Sequence, residues 1–455
     1  MKVALAIPRI DKKYEKFGLD VDWGWWAPLG LLTVASYIKK NNKDIDVLIL
    51  DEQLMDQQAM KMSLIDYSPE WLGVSPDYLT YENSLELARL AKSLKAKVVF
   101  GGHFASNLGK TMLKNRTEID YIVMQDGELA MDGLINGKDF FEINNLIWRS
   151  NGLLKVNKVI LSKLDSLPSI DYSLLDLDAY FINYLNNQER RGIYDQPFQK
   201  PLTFTSQRGC RWREKSKGCL FCSCIYSVWR GRNPVSVWED VVRARDNYGV
   251  DSMVFGEDDF LSSIEWFNYF YEKRPKKNCL GIRFAYVNAC AINKTTVKQL
   301  SELNCYQVFI GFESGDNNCL RKLHKEARIE QTLAAARLLK EYGIKFNASF
   351  SLGAPGESKR SLEKSYVFAQ KLKELGANGF NAYPLLPIPG SKAWNMIMRK
   401  SKEFYELNFD QDMLEPDELV RLWIKHFCLV TAEEVLLVCE KINNMFFHDW
   451  NFKLI

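Results

Sequence analysis

Two series of short apolar runs, each run followed by an amphipathic helical pattern, constrain this chain more than any other feature. In the first series Lys2–Pro8, Ile45–Asp51 ("IDVLILD"), Trp71–Ser75 ("WLGVS"), Ala96–Gly102 ("AKVVFGG") and Asp120–Gln125 ("DYIVMQ") read as buried strands. Between them Pro28–Lys40 ("PLGLLTVASYIKK"), "ENSLELARLAKSLK" and "ASNLGKTMLK" repeat apolar residues at helical spacing. Apolar strands that alternate with helices belong to a parallel, doubly wound α/β sheet, because a helix is the usual crossover between parallel neighbours. Such sheets bind ligands outside the carboxyl ends of their strands. The loops at those ends are "GVSPDYLT", "GGHFAS" and "QDGELA". They are small, polar or Gly-rich, as a bulky ligand bearing phosphate and amide groups requires; ordinary tight turns are the plainer alternative.

Residues 1–150 thus form a first domain, and the Pro-, Asp- and Ser-bearing stretch 151–200 reads as a linker. A second series opens near Pro201. "LTFTSQ", "DSMVFGEDD", "IRFAYVNA", "CYQVFIGFES", "IKFNASFSLG" and "GFNAYPLLP" are its strands, with "VSVWEDVVRARDNY", "KTTVKQLSELN", "IEQTLAAARLLKEYG" and "KSYVFAQKLKELG" as helices. Six such units over 201–398 predict a partial or full barrel with its active-site loops at the carboxyl ends of the strands. Residues 399–455, from "FYELNFD" to "FFHDWNFKLI", read as a C-terminal helical region.

Charge excludes some roles. Sixty basic residues against 57 acidic ones leave a net charge of +3, too even for a nucleic-acid sponge. The apolar run in "MKVALAIPRI" is too short for a signal peptide, and no stretch of about 18 apolar residues predicts a membrane span. The expectation is a cytoplasmic protein without a membrane or nucleic-acid partner. In that reducing compartment clustered cysteines are metal ligands or catalytic groups rather than disulfides.

The cluster is "QRGCRWREKSKGCLFCSC", where Cys210, Cys219, Cys222 and Cys224 fall within fifteen residues directly after a strand. Three thiolates suit an iron–sulfur cluster with one iron left open. Zinc with Cys224 as fourth ligand is the alternative, but a single residue separates Cys222 from Cys224, which is poor spacing for a tetrahedral knuckle. The long basic insert "RWREKSKG" is compatible with a loop wrapped around an anionic cluster. Cys224 reads as a buried small residue, with a catalytic thiol or a proton donor near the substrate as alternatives. Cys279, Cys290, Cys305, Cys319, Cys428 and Cys439 are scattered and read as core.

The stretch "TSQRGC…CLFCS" resembles the radical S-adenosylmethionine (SAM) enzymes. The spacing of the second pair of cysteines matches that family, while the first gap is five residues longer. The order Arg-Gly-Cys, Trp, Glu-Lys-Ser, Cys-x-aromatic-Cys resembles a cobalamin-dependent subset linked to peptide natural-product maturation, with one residue more here. Further along, "VFGEDDF" (Val254–Phe260), "IGFESGDNNCLRKLHK" (Ile310–Lys325), "FSLGAPGES" and "YPLLPIPGS" resemble that family's later strand ends. "PLGLLTVASYIK", "GVSPDYLTYENSLELA", "GGHFAS" and "DGELAMDGL" resemble its cobalamin-binding domain. Together these motifs span most of residues 1–395.

The resemblance implies a Rossmann-like cobalamin-binding domain followed by a radical SAM (β/α)6 partial TIM barrel. It implies a [4Fe–4S] cluster on Cys210, Cys219 and Cys222, and SAM held by Phe221, Gly256, Glu257, Glu313 and Ser314. It implies cobalamin against Ser75, Thr80, Gly101, Gly102, Gly127 and Glu128. Some cobalamin proteins supply a cobalt-ligating histidine from a "DxHxxG" loop. The corresponding "DEQLMDQQAM" has none, so the lower cobalt face is left to water or another side chain, and His103 after "GG" reads as an ordinary loop residue, with an approach to the corrin as the alternative. The three tryptophans of "DWGWWAPLG" (Asp22–Gly30) flank corrin or substrate, or form an apolar plug. The implied activity is methylation of an unactivated carbon through a 5′-deoxyadenosyl radical and methylcobalamin, on a small-molecule, peptide or peptide-like substrate. An external electron donor such as flavodoxin or ferredoxin is implied as partner. A radical cyclase or rearrangement enzyme is the nearer alternative, and a zinc-stabilised binding protein the more remote one.

Overall fold

A computed structural model describes residues 1–10, 25–190, 197–400 and 414–446. The aromatic stretches Phe404–Asp410 and Phe447–Ile455, and Trp23 of the Trp-rich segment, lie outside these residues. Tertiary contacts divide the chain into two compact units, the first taking in Met1–Lys200 and the second beginning at Pro201.

In the first unit β1 (Lys2–Ile7), α1 (Leu29–Asn41), β2 (Asp46–Asp51), α2 (Gln57–Tyr67), β3 (Trp71–Val74), α3 (Tyr81–Ser93), β4 (Lys97–Phe100), α4 (Gly102–Asn115), β5 (Tyr121–Val123) and α5 (Glu128–Ile135) alternate as expected. Their strands lie in the order β2-β1-β3-β4-β5 and pair in parallel throughout. Each is nearly all apolar because both faces of the sheet are covered. Leu31, Ala35 and Ile38 of α1 pack on Val3, Leu5, Val99 and Val123 from the sheet. The strand order reverses around β1, so the crevice for a ligand opens at the carboxyl ends of β1 and β3.

The expected linker is largely built structure. β6 (Leu146–Ser150) and β7 (Leu153–Val156) extend the sheet as an antiparallel hairpin, and α6 (Leu177–Arg190) follows. The turn between the strands is Asn151-Gly152, with φ of +50° and +74°. A two-residue turn with both φ positive matches the twist of paired strands, and Asn-Gly supplies it at least steric cost.

The second unit holds six strands in the order β8-β11-β12-β13-β14-β15, all parallel: β8 (Pro201–Thr203), β11 (Ser252–Phe255), β12 (Gly281–Val287), β13 (Gln307–Glu313), β14 (Lys345–Leu352) and β15 (Ala377–Pro384). β8 and β15 do not pair with each other, so the barrel is open. The helices α8 (Pro234–Tyr248), α9 (Ile264–Glu272), α10 (Lys294–Glu302), α12 (Ile329–Glu341), α13 (Lys359–Glu374) and α14 (Lys392–Lys400) each follow one strand, making six βα units. Short elements decorate the carboxyl edge: a two-residue ladder of β9 (Gln207–Arg208) with β10 (Arg230–Gly231), α7 (Arg211–Ser216) and α11 (Asn317–Lys322). The helix α9 was not foreseen. Its aromatic sequence "IEWFNYFYE" looks strand-like, yet Ser263 caps Trp266 N at 3.3 Å and Trp266, Phe267 and Phe270 share one buried face.

The C-terminal helices α15 (Pro416–Phe427) and α16 (Ala432–Asn443) belong to this unit. Trp423 is fully buried and donates from Nε1 to the Gly353 carbonyl at 2.8 Å. Asn443 meets the open edge of β15, accepting from Ala382 N at 2.7 Å and donating to Ala382 O at 3.0 Å. An edge strand left bare invites pairing with other chains, and this side chain closes it at one residue.

Candidate functional site

β8 delivers the chain to the carboxyl edge of the second sheet, where Cys210 caps a short helix rather than a loop. The basic insert folds as α7, with Glu214 N bonded to Cys210 O at 3.1 Å. Lys217 and Gly218, at φ of +64° and +78°, turn the chain back toward Cys219. Cys222 N then closes on Cys219 O at 3.4 Å. The loop is docked from outside. Trp212 Nε1 donates to His324 O at 2.8 Å, Leu220 N to Leu323 O at 2.9 Å, and Ala393 N to Leu220 O at 2.9 Å.

Burial pushes the Cys219 thiol up to about 12, with Lys325 opposing and the Cys222 and Cys210 sulfurs adding to the rise. Burial likewise raises Cys210 to about 11 and lifts Cys222, whose sulfur accepts from Cys224 N at 3.4 Å. Cys219 thus feels both of the other sulfurs, and burial disfavours the thiolate form of all three in the absence of a compensating cation. Cys224 stands apart. It is 4% exposed, and its thiol points at Asp258 Oδ2 (3.4 Å) and Tyr226 O (3.8 Å). Among the described residues no three His, Cys, Asp or Glu side chains converge on a single-ion position. With Cys224 bonded elsewhere, the loop offers three thiols, which fits a cluster that leaves one iron open better than a tetrahedral zinc. The remaining cysteines divide between buried (Cys305, Cys319, Cys439) and half-buried (Cys279, Cys290, Cys428).

The acidic run after β11 has three different fates. Glu257 Oε1 accepts from Ser206 N at 2.6 Å and Ser206 Oγ at 2.8 Å. Its Oε2 is sealed from solvent without a partner. Burial raises the carboxyl to about 7 against those bonds. A buried, half-satisfied carboxylate at a strand end suits a cationic or hydroxyl-bearing ligand such as the amino group of SAM. Asp258 Oδ2 accepts from Gly209 N at 3.2 Å as well as from Cys224. Asp259 is spent on the backbone, accepting from Leu261 N at 3.2 Å and Asn288 N at 3.1 Å. Gly256 is exposed beside them, and Phe221 is half-buried between its two cysteines.

At the end of β13, Glu313 takes φ of +66° and its Oε1 accepts from Lys325 Nζ at 2.9 Å. Gly311 makes room for the pair: a Cβ there would lie 2.8 Å from Lys325 Nζ. Ser314 is placed differently from the expected SAM contact. It is fully buried, with Oγ 3.3 Å from Ser365 Oγ and accepting from Asp316 N at 3.2 Å, so its hydroxyl serves the packing of α13. The sequence reading overlooked Lys325 and Ser206. Lys325 sits twelve residues beyond Glu313 and meets it only because α11 folds back.

In the first unit, Ser75 follows β3 and Gly101 and Gly102 follow β4. Gly102 has φ of +80°, and a Cβ on it would collide with Ser75 Oγ, so glycine is required at this crossing of two crevice loops. Thr80 is turned inward, its Oγ1 accepting from Asp77 N at 2.9 Å in a turn that Asp77 also closes onto Leu79 N at 2.7 Å. Gly127 precedes α5, and Glu128 at its start is 1% exposed. His103 is exposed on the first turn of α4. The tail of β2, where a histidine loop was looked for, carries Asp51, whose Oδ2 accepts from Tyr180 OH of α6 at 2.6 Å. Trp25 is 8% exposed and meets Tyr184 of α6 edge-on, ring centroids 4.8 Å apart.

The family models find the same two parts. The radical SAM superfamily model matches residues 204–369 and the B12-binding-domain model residues 21–135. The chain is 25% identical over 409 residues to an uncharacterised methyltransferase of Pyrococcus horikoshii, covering 87% of this chain and 82% of that protein. It is 24% identical over 432 residues to the anaerobic magnesium-protoporphyrin IX monomethyl ester cyclase of Rubrivivax gelatinosus, covering 90% and 74%. In fold it is similar to the radical SAM methyltransferase TsrM of Kitasatospora setae, with a TM-score of 0.68 at 17% identity over 88% of this chain and 76% of that one. It is also similar to the cobalamin-dependent SAM radical enzyme OxsB, with a TM-score of 0.62 at 17% identity over 81% of this chain, but it spans only 51% of OxsB. No described helix is long and apolar enough to cross a membrane. With a B12-binding domain and a radical SAM domain matched in order, the chain belongs to the cobalamin-binding radical SAM enzymes, whose cofactors are a [4Fe–4S] cluster, SAM and cobalamin.

Proposed function

We propose that the protein is a C-methyltransferase that transfers a methyl group to an unactivated carbon of a peptide or peptide-like natural product. The observation that carries the reading is the pairing of a B12-binding domain with a radical SAM domain in a chain similar over 87% of its length to an uncharacterised methyltransferase. When bound, the cluster and one SAM supply a hydrogen-abstracting 5′-deoxyadenosyl radical, while cobalamin carries a methyl group drawn from a second SAM. Cys210, Cys219 and Cys222 hold the cluster. Glu257 offers its unpartnered Oε2 to the SAM ammonium, kept in place by Ser206, and Gly256 leaves the backbone open beside it. Phe221 packs against the adenine, and Glu313 acts through Lys325. Ser75, Gly101, Gly102, Gly127 and Glu128 line the corrin crevice, with Thr80 shaping its turn. The likeness of the cysteine loop to peptide-maturation enzymes supports the substrate class. A flavodoxin or ferredoxin is the electron donor.

Reconstitution with iron, sulfide and cobalamin under anaerobic conditions, followed by SAM and a precursor-peptide candidate encoded beside the gene, tests this. The expected products are 5′-deoxyadenosine and S-adenosylhomocysteine in equal amounts. A second reading, radical cyclisation, draws on the cyclase similarity and predicts 5′-deoxyadenosine without stoichiometric S-adenosylhomocysteine. Formation of neither product overturns both.

A further inference from the structure

The basic insert that lengthens the cysteine loop remains unexplained by cofactor binding alone. Its charges do not simply point into solvent. Arg213 lies along the loop with Nη1 3.4 Å from the Cys222 carbonyl, and Gly218 is shaped around it, since a Cβ there would be 3.2 Å from both Cγ and Nη1 of that arginine. From the first turn of α14, Lys392 Nζ donates to Gly218 O at 2.7 Å and reaches Ser216 O at 3.4 Å, at the carboxyl end of α7. One cation therefore grips the residue before Cys219, and another grips Cys222 itself. Lys325 completes the set, its side chain only 15% exposed and tied to Glu313.

Three cations from three elements thus meet one loop, and a thiolate-bound cluster there would be an anion among them.

We propose that Arg213 and Lys392, with Lys325 behind them, form a cationic brace that fixes the Cys219–Cys222 segment and raises the reduction potential of the cluster it holds. The inference rests on the cluster assignment made above. Reduction brings one electron from an external donor to the cluster and adds one negative charge within reach of the brace, so fixed cations favour the reduced form. Charge and hydrogen bonding near the sulfurs are among the factors that set such potentials. Arg213 and Lys392 act through the loop and the field, and are positioning residues.

The test compares Arg213→Met, Lys392→Met and the double variant with Arg213→Lys, Lys392→Arg and a remote control, Lys359→Met, whose exposed ammonium pairs with Glu434 at 2.7 Å. Each protein is reconstituted anaerobically, its iron counted, its fold checked by thermal melt, and its midpoint potential measured by dithionite titration followed by electron paramagnetic resonance. The expected result is a more negative midpoint in both methionine variants, the largest shift in the double variant, and values near wild type in the Lys, Arg and control variants. A folded double variant that loses iron, while the charge-conserving variants keep it, also supports the brace. An unmoved midpoint in an iron-replete double variant overturns it, as does an equal shift in the charge-conserving variants. If wild type itself holds no cluster, it is the cluster assignment that fails.

Discussion

Glu257 offers the sharpest separation of a functional residue from a structural one. Its carboxyl is lifted by burial from an ordinary value near 4.3 to about 7. The sign follows from the raised value. Below pH 4 the folded and unfolded forms both hold the proton and nothing is lost. As pH rises through 7 the buried group must ionise, and the folded state is disfavoured by roughly 3–4 kcal/mol at pH 8, about half of it already present at pH 5.5. Glu257→Gln keeps an acceptor for Ser206 and removes that cost, but it places an amide NH2 where Oε2 has no partner, which returns about 1–3 kcal/mol. The net expectation is an apo protein more stable than wild type at pH 8 by about 1–2 kcal/mol, with less advantage at pH 5.5. SAM binding moves the other way. Losing a charge-assisted bond of about 1.5–3 kcal/mol weakens affinity roughly 10- to 100-fold. Urea unfolding at the two pH values and equilibrium dialysis of SAM against the reconstituted protein measure both sides. A destabilised Gln variant that binds SAM normally refutes the reasoning, because Glu257 is then a structural strut for Ser206.

Three further outcomes follow from other parts of the molecule. Burial raises Asp51 from an ordinary carboxylate value to about 6, so wild type loses about 1–1.5 kcal/mol relative to Asp51→Asn between pH 5 and pH 7.5; parallel urea curves for the two proteins refute this. Gly102→Ala forces a side chain into a positive φ and onto Ser75 Oγ, and should weaken cobalamin binding at least tenfold in a spectrophotometric titration at a fold cost of about 1–2 kcal/mol; unchanged binding removes Gly102 from the crevice. Asn443→Ala strips both bonds from the β15 edge at Ala382 and should cost about 1–3 kcal/mol with a rise in aggregation by light scattering, whereas a loss below about 0.5 kcal/mol means water replaces it freely.

Periodicity was enough to read every parallel strand of both sheets: β3 and β11 are buried along their whole length and uninterrupted by charge, while β14 alternates buried Phe346, Ala348, Phe350 and Leu352 with half-buried residues at a strand's period of two. The misses share a cause of another kind. Asn151-Gly152 was taken into a linker, although its two positive φ values make it a hairpin turn and carry the first unit on to α6. The three cysteines stood out by spacing within one loop. The cations around them did not, because Lys325 and Lys392 come from other elements and reach the loop only after α11 and α14 have folded. Ser314 shows the reverse: adjacent to Glu313 in a recognisable motif, it faces Ser365, since a positive φ at Glu313 redirects the chain between them.

The two ends of the second sheet show where its strain is kept. At the amino ends of the strands, Arg283 donates to Gln307 at 2.8 Å and Gln307 to Asn347 at 2.9 Å, a buried polar chain joining β12, β13 and β14 by neutral acceptors. That network serves the barrel alone. At the carboxyl ends, Glu257 keeps a carboxylate oxygen without a partner, Glu313 takes a left-handed backbone to reach a lysine, and Lys392 is crowded by Arg213 and Lys217. Each departure is unfavourable for the folded chain alone, and all lie on one edge beside the three thiols. Such departures concentrate at functional sites, held there by the rest of the fold, and a bound ligand can relieve them. The required relief is specific in sign: a cation or hydroxyl for Glu257 and an anion for the brace. A cluster on the three cysteines would supply the anion, and SAM bound beside it would offer Glu257 an N–H or hydroxyl donor, whereas zinc on four thiolates would leave Glu257 unmet.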